Sequence, residues 1–359
     1  MKQHNFSAGP AILPQTVFEQ AAQAARNYND IGLSLMEISH RSPEFTAILD
    51  EAQVLVRDLL GVSEEYAVLF LQGGASSQFF MTAMNLLPAS GKAGYVDTGS
   101  WSAKAIKEAQ AFGGVEVLAS SQEQNYTHIP KGYTIPEELA YLHITTNNTI
   151  FGTQYKALPD TQVPLVADMS SDIFSKPVDI DRFDLIYAGA QKNMGPAGVT
   201  LVIVRKEALG KVERHIPTML DYRTHIKKNS AFNTPPVFPI FVSMLTLRWV
   251  KANGGVEAMQ ERNAKKAELM YNAIDDNPLF RGTVTDPADR STMNATFLLA
   301  EGKEELSDEF LKACKEARCN GVKGHRSVGG FRASMYNAMD IESVQVLTEI
   351  MKDFANKHA

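Results

Sequence analysis

The sequence predicts an α/β protein in which a mainly parallel sheet lies between helices and a smaller α+β unit follows. Three observations carry this. From Tyr66 onward, short apolar runs alternate with helical patterns, beginning with YAVLFLQ, a Gly73-Gly74 stop and ASSQFFMTAMNLL. The stretch FDLIYAGAQKNMGPAGVTLVIV, Phe183 to Val204, sets two strand-length apolar runs either side of a small-residue turn that carries a single lysine, Lys192. A third run, VPLVADMSS from Val163 to Ser171, is a hydrophobic strand closed by an acid, Asp168. At 359 residues the chain is long for one core and suits a large and a small domain.

Taken in order, NFSAGPAILP (Asn5 to Pro14) is too rich in Gly, Pro and small residues for regular structure. Thr16 to Tyr28 reads as an Ala-rich amphipathic helix. In MEISHRSPEF, Ser42 caps a new helix with Pro43 at its first position, and Gly61 stops it after Leu60. His40 and Arg41 stand just before that start and, alone, read as an exposed loop pair. The strand from Tyr66, the double glycine and the small hydroxyl residues before the next helix form an anion cup, since free N–H groups and the helix dipole favour a phosphate there. Neither a Walker lysine motif nor G-x-G-x-x-G is present, so a nucleotide is not its natural guest.

The strand KAGYVDT leads to a helix opened by Gly99, Ser100 and Trp101, where the indole is either a core plug or a stacking platform. Strands follow at Tyr141 to Thr146 and Val163 to Met169, joined by the polar turn TNNTIFG, in which Thr149 can donate a hydrogen bond. After the Lys192 turn, Asn233 and Thr234 precede Pro235-Pro236 and a long apolar helix ending at Gly254-Gly255. A charged helix, Glu257 to Asp275, leads into the second unit. There the pattern is strand (Thr292 to Leu299), helix (Ser307 to Arg318), strand (Phe331 to Tyr336) and closing helix (Ile341 to Asn356). The expected division is a large domain over 15–255 and a small one built from 1–14 and 256–359.

The composition narrows the setting. With 44% hydrophobic and 21% charged residues and a net charge of −6, the chain has the balance of a globular protein and lacks the cationic surface of a nucleic-acid binder. Its longest apolar runs are too short to span a membrane, and MKQHNFSAGP has no signal-peptide core. The two cysteines, Cys314 and Cys319, lie in a charged helical stretch and suggest reduced thiols. The expectation is a cytoplasmic protein with no metal, no membrane and no nucleic-acid partner.

Lys192 and Asp168 point to chemistry. An amine in a small-residue turn can form a Schiff base with a carbonyl cofactor such as pyridoxal phosphate and later shuttle a proton. A carboxylate beyond a strand's carboxyl end can keep that cofactor's ring nitrogen protonated. The alternatives are a surface lysine in a tight hairpin and an acid that caps a helix or turn.

Nine stretches in order (NFSAGPAILP, MEISHRSPEF, GGASSQF, GSWSAKAIKEA, NNTIFG, ADMSSDIFS, YAGAQKNMGPAG, FNTPPVF and GHRSVGGFRASMYNA) make the whole chain resemble the phosphoserine aminotransferases. These belong to class V of the fold type I pyridoxal-phosphate enzymes. The resemblance implies a seven-stranded sheet, a homodimer with a shared active site, and pyridoxal 5'-phosphate as cofactor. It implies that Lys192 carries the cofactor, Asp168 pairs with its ring nitrogen, Trp101 stacks on its ring and Thr149 binds its phenolic oxygen. Ala75, Ser76 and Gln191 would hold the phosphate, with Asn233 and Thr234 reaching it from the partner subunit. Arg332 would bind the α-carboxylate, and His40-Arg41 with His325-Arg326 the distal anion.

The implied reaction is L-glutamate plus 3-phosphohydroxypyruvate giving 2-oxoglutarate and O-phospho-L-serine by ping-pong transfer, with the 4-phosphohydroxy-L-threonine step of pyridoxine biosynthesis as a possible second use. One departure is that some relatives carry an arginine after the Gly-Gly pair, where this chain has Ala75-Ser76. Two other readings stand beside this one. A cysteine desulfurase would use Cys314 or Cys319 as sulfur acceptor, and a non-catalytic binding protein would merely retain the fold.

Overall fold

A computed structural model describes residues 2–358. The chain opens with a two-residue strand β1 (His4–Asn5), helices α1 (Gln15–Arg26) and α2 (Pro43–Leu60), and then alternates: β2 (Tyr66–Leu71), α3 (Gly74–Leu86), β3 (Lys92–Asp97), α4 (Ser100–Ala109), β4 (Gly114–Ser120), β5 (Leu142–Thr145), β6 (Leu165–Asp168), β7 (Phe183–Gly189) and β8 (Thr200–Arg205). Helices α5 (Tyr222–Lys227), α6 (Val237–Ala252) and α7 (Gly255–Asp275) follow. The last part holds β9 (Phe280–Gly282), β10 (Asn294–Leu299), α8 (Ser307–Glu316), β11 (Cys319–Asn320), β12 (Phe331–Ser334) and α9 (Ile341–Lys357).

Strands β2 to β8 form one seven-stranded sheet in the order β2-β8-β7-β6-β5-β3-β4. Neighbours from β7 to β4 pair in parallel, whereas β8 is antiparallel to both β7 and β2. Strand β2 therefore runs the same way as the parallel set. The segments after β2, β3, β5, β6 and β7 consequently leave the sheet at one edge, the edge where ligands of such sheets bind. That single fact brings the Gly73-Gly74 cup, Trp101, Thr149, Asp168 and Lys192 to one side of the molecule.

The central strands are buried on both faces, as their unbroken apolar runs require. One face packs against α2 and α6, through residues such as Phe45, Leu49, Phe241 and Leu245. The other packs against α3 and α4, through Phe79, Met81, Ala105 and Tyr187. Helix α2 begins as expected, with the Ser42 hydroxyl accepting from Phe45 N at 3.3 Å, Pro43 in the first turn and Gly61 left-handed at φ 66.

Some boundaries differ from the sequence reading, each for a local reason. Helix α1 stops at Arg26 rather than Tyr28 because Asn27 is extended (φ −158). Helix α8 stops at Glu316, two residues before Arg318, which adopts φ 64 and cannot continue it. Strand β4 went unread because it is the sheet's edge: its residues are half-buried or exposed, so the apolar alternation is weak. Strands β9, β1 and β11 are too short to leave a periodic signal.

A second sheet, β12-β10-β9, is antiparallel and packs with α7, α8 and α9. Its core is aromatic. The Phe310 ring is fully buried, with the rings of Phe280, Phe331 and Phe354 centred 4.9, 4.7 and 5.3 Å away. Phe6 belongs to this same cluster, and β1 pairs with β11, so the N-terminus is anchored here. Among the described residues no helix is long and apolar enough to cross a membrane. Truncating Phe310 to Ala should cost about 3–5 kcal/mol of stability and Phe310→Leu distinctly less. Urea unfolding followed by near-UV circular dichroism checks this, and a loss below about 1 kcal/mol for the Ala variant would contradict the packing described.

Candidate active site

The turn after β7 is rigid before any ligand is considered. The Ala190 carbonyl accepts from Gly195 N at 2.8 Å, and Ala190 N donates to the Val199 carbonyl at 3.1 Å. Asn193 anchors it on two sides: its amide donates to the Ile173 carbonyl at 2.6 Å, and its oxygen accepts from Asn337 N at 2.9 Å. The N-terminal segment lies over it, with Ala11 N donating to the Gln191 carbonyl at 2.9 Å. Gly9, at φ 148, comes so near that a Cβ there would sit 3.3 Å from Lys192 Cγ.

The second sheet holds this segment in turn. The Tyr336 hydroxyl donates to the Ala8 carbonyl at 2.7 Å, and the fully buried Lys266 amine donates to the Met335 and Tyr336 carbonyls at 2.8 and 2.7 Å. Lys192 thus sits between the two sheets, its neighbours Gln191 and Asn193 tied to segments that both sheets hold.

Asp168 closes β6 and is buried. Ser170 N donates to its Oδ1 at 2.9 Å. Burial raises its pKa above the usual carboxylate value, opposed first by the charge of Lys192 and then by the Ser170 hydrogen bonds. Lys192 shows the converse. Burial around its amine lowers its pKa, the negative charge of Asp168 opposes this, and Arg332 adds to the lowering. The result is an amine closer to its neutral, nucleophilic form than a surface lysine.

Trp101 and Thr149 are joined directly, Trp101 Nε1 donating to Thr149 Oγ1 at 3.1 Å. Arg332, on β12, donates through a terminal nitrogen to the Thr149 carbonyl at 2.9 Å, while its buried Nε has no partner. Lys192 Nζ lies 5.2 Å from the centre of the Trp101 ring. His325 is next to this group: burial lowers its pKa, and the charges of Arg332, Arg326 and Lys104 lower it further.

At the start of α3, Gly73 adopts φ 94, and a Cβ there would collide with the Ser77 hydroxyl. The N–H groups of Ala75 and Ser76 fall in the first helical turn, where no intrahelical acceptor exists. A Cβ on Gly189 would be 2.8 Å from Gln191 Oε1, so the strand's last glycine makes room for the Gln191 amide. Asn233 donates to Gln72 Oε1 at 3.1 Å and the Gln72 amide donates to the Thr234 carbonyl at 2.9 Å, so this pair lies beside the cup of its own chain.

His40 and Arg41 are apart from this group. Arg41 is exposed, His40 Nε2 is buried without a partner, and no hydrogen bond or ion pair among the described residues links either to the Lys192 cluster within one chain. A cavity of about 250 Å³ between Tyr155, Lys156, Lys176 and Val178 adjoins the site through Thr146, Met169 and Asp172.

Two neighbours escaped the sequence reading. Lys104 extends its amine to 4.6 Å from the Trp101 ring centre; its three-residue spacing from Trp101 on one helix was the available signal. His143, on β5, lies with Nε2 2.8 Å from the Tyr187 hydroxyl, and burial lowers its pKa to about 3. Tyr187 is the register partner of Asp168, so this neutral pair lies in the layer beside the buried acid. No sequence motif marks it. Among the described residues no cluster of His, Cys, Asp and Glu suits a metal ion.

The residues present suit pyridoxal phosphate: a lysine of lowered basicity, a buried acid with a spare oxygen, an indole beside the amine, and free N–H groups at a helix start. Replacing Asp168 by Asn should lower the pKa of Lys192 further, because the Asp168 carboxylate favours the ammonium more strongly than Asp172, the other acid acting on it. Competitive acylation of the cofactor-free protein across a pH series, with mass mapping of Lys192, checks this; an unchanged or upward midpoint would contradict it.

The family model described as Aminotransferase class-V matches residues 3–347. A phosphoserine aminotransferase of Flavobacterium psychrophilum is 58% identical over 358 residues, covering 99% of this chain and all of that one. Among solved structures, a phosphoserine aminotransferase from Bacillus circulans subsp. alkalophilus superposes with a TM-score of 0.96 at 49% identity, covering 100% of this chain and 99% of that one. A pyridoxal-phosphate-bound phosphoserine aminotransferase from Trichomonas vaginalis gives 0.93 at 36% identity, covering 98% and 100%. The chain belongs to the class-V aminotransferases and, within them, to the phosphoserine aminotransferase family.

Proposed function

We propose that this chain moves the amino group of L-glutamate to 3-phosphohydroxypyruvate, giving 2-oxoglutarate and O-phospho-L-serine, with pyridoxal 5'-phosphate carried on Lys192. The carrying observation is the meeting of Lys192, Asp168, Trp101, Thr149 and Arg332, from separate segments, at one sheet edge. Bound there, the cofactor would supply the electron sink that acidifies the substrate Cα–H.

The protein's part is to hold and to move protons. Asp168 would accept the hydrogen bond of the ring nitrogen and keep its proton in place. Thr149 Oγ1 already accepts from Trp101, which leaves its own hydroxyl proton for the phenolic oxygen. Trp101 would cover the ring face, and Ala75, Ser76 and Gln191 would hold the phosphate. Lys192 Nζ, once the substrate amine has taken its place, would take the proton from the substrate Cα and return it on the far side of the transfer. Arg332 would clamp the α-carboxylate through paired hydrogen bonds, and His325 with Arg326 would receive the distal anion.

Asn233 and Thr234 would complete the phosphate site of a second copy, which makes the homodimer the working unit; His40 and Arg41 belong to the distal anion site in the same reading. The division into 15–255 and 1–14 with 256–359 is supported by Phe6 and Ile12 packing with the C-terminal cluster. A cytoplasmic setting and a second use on the four-carbon phosphorylated keto acid fit the same chemistry.

The desulfurase alternative is disfavoured by the thiols. Burial raises the pKa of Cys314 to about 12 and of Cys319 to about 11, so neither is a ready thiolate nucleophile. The non-catalytic alternative is disfavoured because the full cluster is present. Purified protein should absorb in the visible, lose that band with L-glutamate and recover it with phosphohydroxypyruvate. Lys192→Ala should lower kcat by at least about 10³-fold. Unimpaired turnover by that variant, or no bound chromophore in the parent, would overturn the reading.

A further inference from the structure

We infer that Lys104 is a specificity residue for the phosphate of the phosphorylated substrate, an inference that rests on the function proposed above. Lys104 stands on α4, one turn beyond Trp101, and a lysine at that spacing bends back over the earlier residue. Its amine is 4.6 Å from the indole centre, and Lys192 Nζ is 5.2 Å from the same centre. Both amines therefore stand within about one side-chain length of the same indole.

The charges around it are one-sided. Lys104, Arg326 and Arg332 have no carboxylate partner among the described residues, although the chain as a whole is acidic. All three act on His325, and the buried Nε of Arg332 lacks an acceptor. Val328, in the turn that carries His325 and Arg326, packs in the same small cluster as Trp101, so this turn and α4 meet at the indole. Cations that lack acidic partners and act on one histidine repel one another unless an anion enters among them.

Arg332 already holds the backbone near Thr149 and faces the Lys192 side of the group. His325 is pushed toward its neutral form, so the fixed positive charge at the outer end comes from Lys104 and Arg326. A phosphate, with close to two negative charges, draws on a second fixed cation far more than a single carboxylate does. Lys104 thereby separates the phosphorylated acid from glutamate, which must use the same pocket.

The test compares the parent with Lys104→Met and Lys104→Arg, all as holoenzyme. For Lys104→Met, KM for O-phospho-L-serine and the inhibition constant of inorganic phosphate should rise about tenfold or more, the rise in KM for L-glutamate should stay below about threefold, and kcat should change little. Lys104→Arg should restore most of the loss. Calorimetric titration of the holoenzymes with inorganic phosphate should show the same weakening, and matched thermal transitions exclude misfolding. Equal changes for both substrates, or none, would overturn the inference and assign Lys104 to support of Trp101 alone. A parent enzyme that fails to use O-phospho-L-serine at all would instead overturn the proposed function.

Discussion

The site depends on a buried acid and a buried amine that each make the other tolerable. Asp168 closes β6 and Lys192 lies in the turn after its neighbour β7, buried where taking an ion out of water costs several kcal/mol. Their mutual attraction opposes that cost at both groups. The directions of the two pKa changes show which effect is larger: the acid moves up and the amine down, so burial outweighs attraction at both. A lysine made less basic than usual, with a buried acid beside it, favours Schiff-base chemistry.

That condition needs a rigid surround, and both sheets provide it. Asn193, next to Lys192, is tied to Ile173 on one side and Asn337 on the other. Asn337 also reaches Phe174 and Asn263, while Lys266 fixes the two carbonyls just before it. The N-terminal segment, anchored by β1 and Phe6 in the second core, crosses the Lys192 turn through Gly9 and Ala11. Movement of the second sheet would therefore be felt at the lysine through short, named hydrogen bonds.

Charge is distributed to match. The interior side of the group holds the Asp168–Lys192 pair and Arg332, and the outer side gathers Lys104, Arg326 and His325 without a balancing acid. An acidic chain with one uncompensated cationic corner attracts small anions to that corner and disfavours cations there. Glutamate and a phosphorylated keto acid share this feature, since each has an α-carboxylate and a second anionic end.

Much of this was legible in the sequence because the signals are local. Apolar runs of strand length, the double glycine at residues 73 and 74, the Ser42-Pro43 helix start, the strand-closing Asp168 and the small-residue turn around Lys192 each act within a few residues, where backbone sterics and capping decide the outcome. Strand β4 and the short strands were lost because edge position and length erase periodicity. Tertiary structure alone decided which distant segments meet. The sheet order β2-β8-β7-β6-β5-β3-β4 is not the chain order, so the contact of Trp101 with Thr149 and the approach of His143 to Tyr187 follow from strand pairing, and that of Arg332 with the Thr149 carbonyl from the docking of the second sheet, rather than from any spacing along the chain.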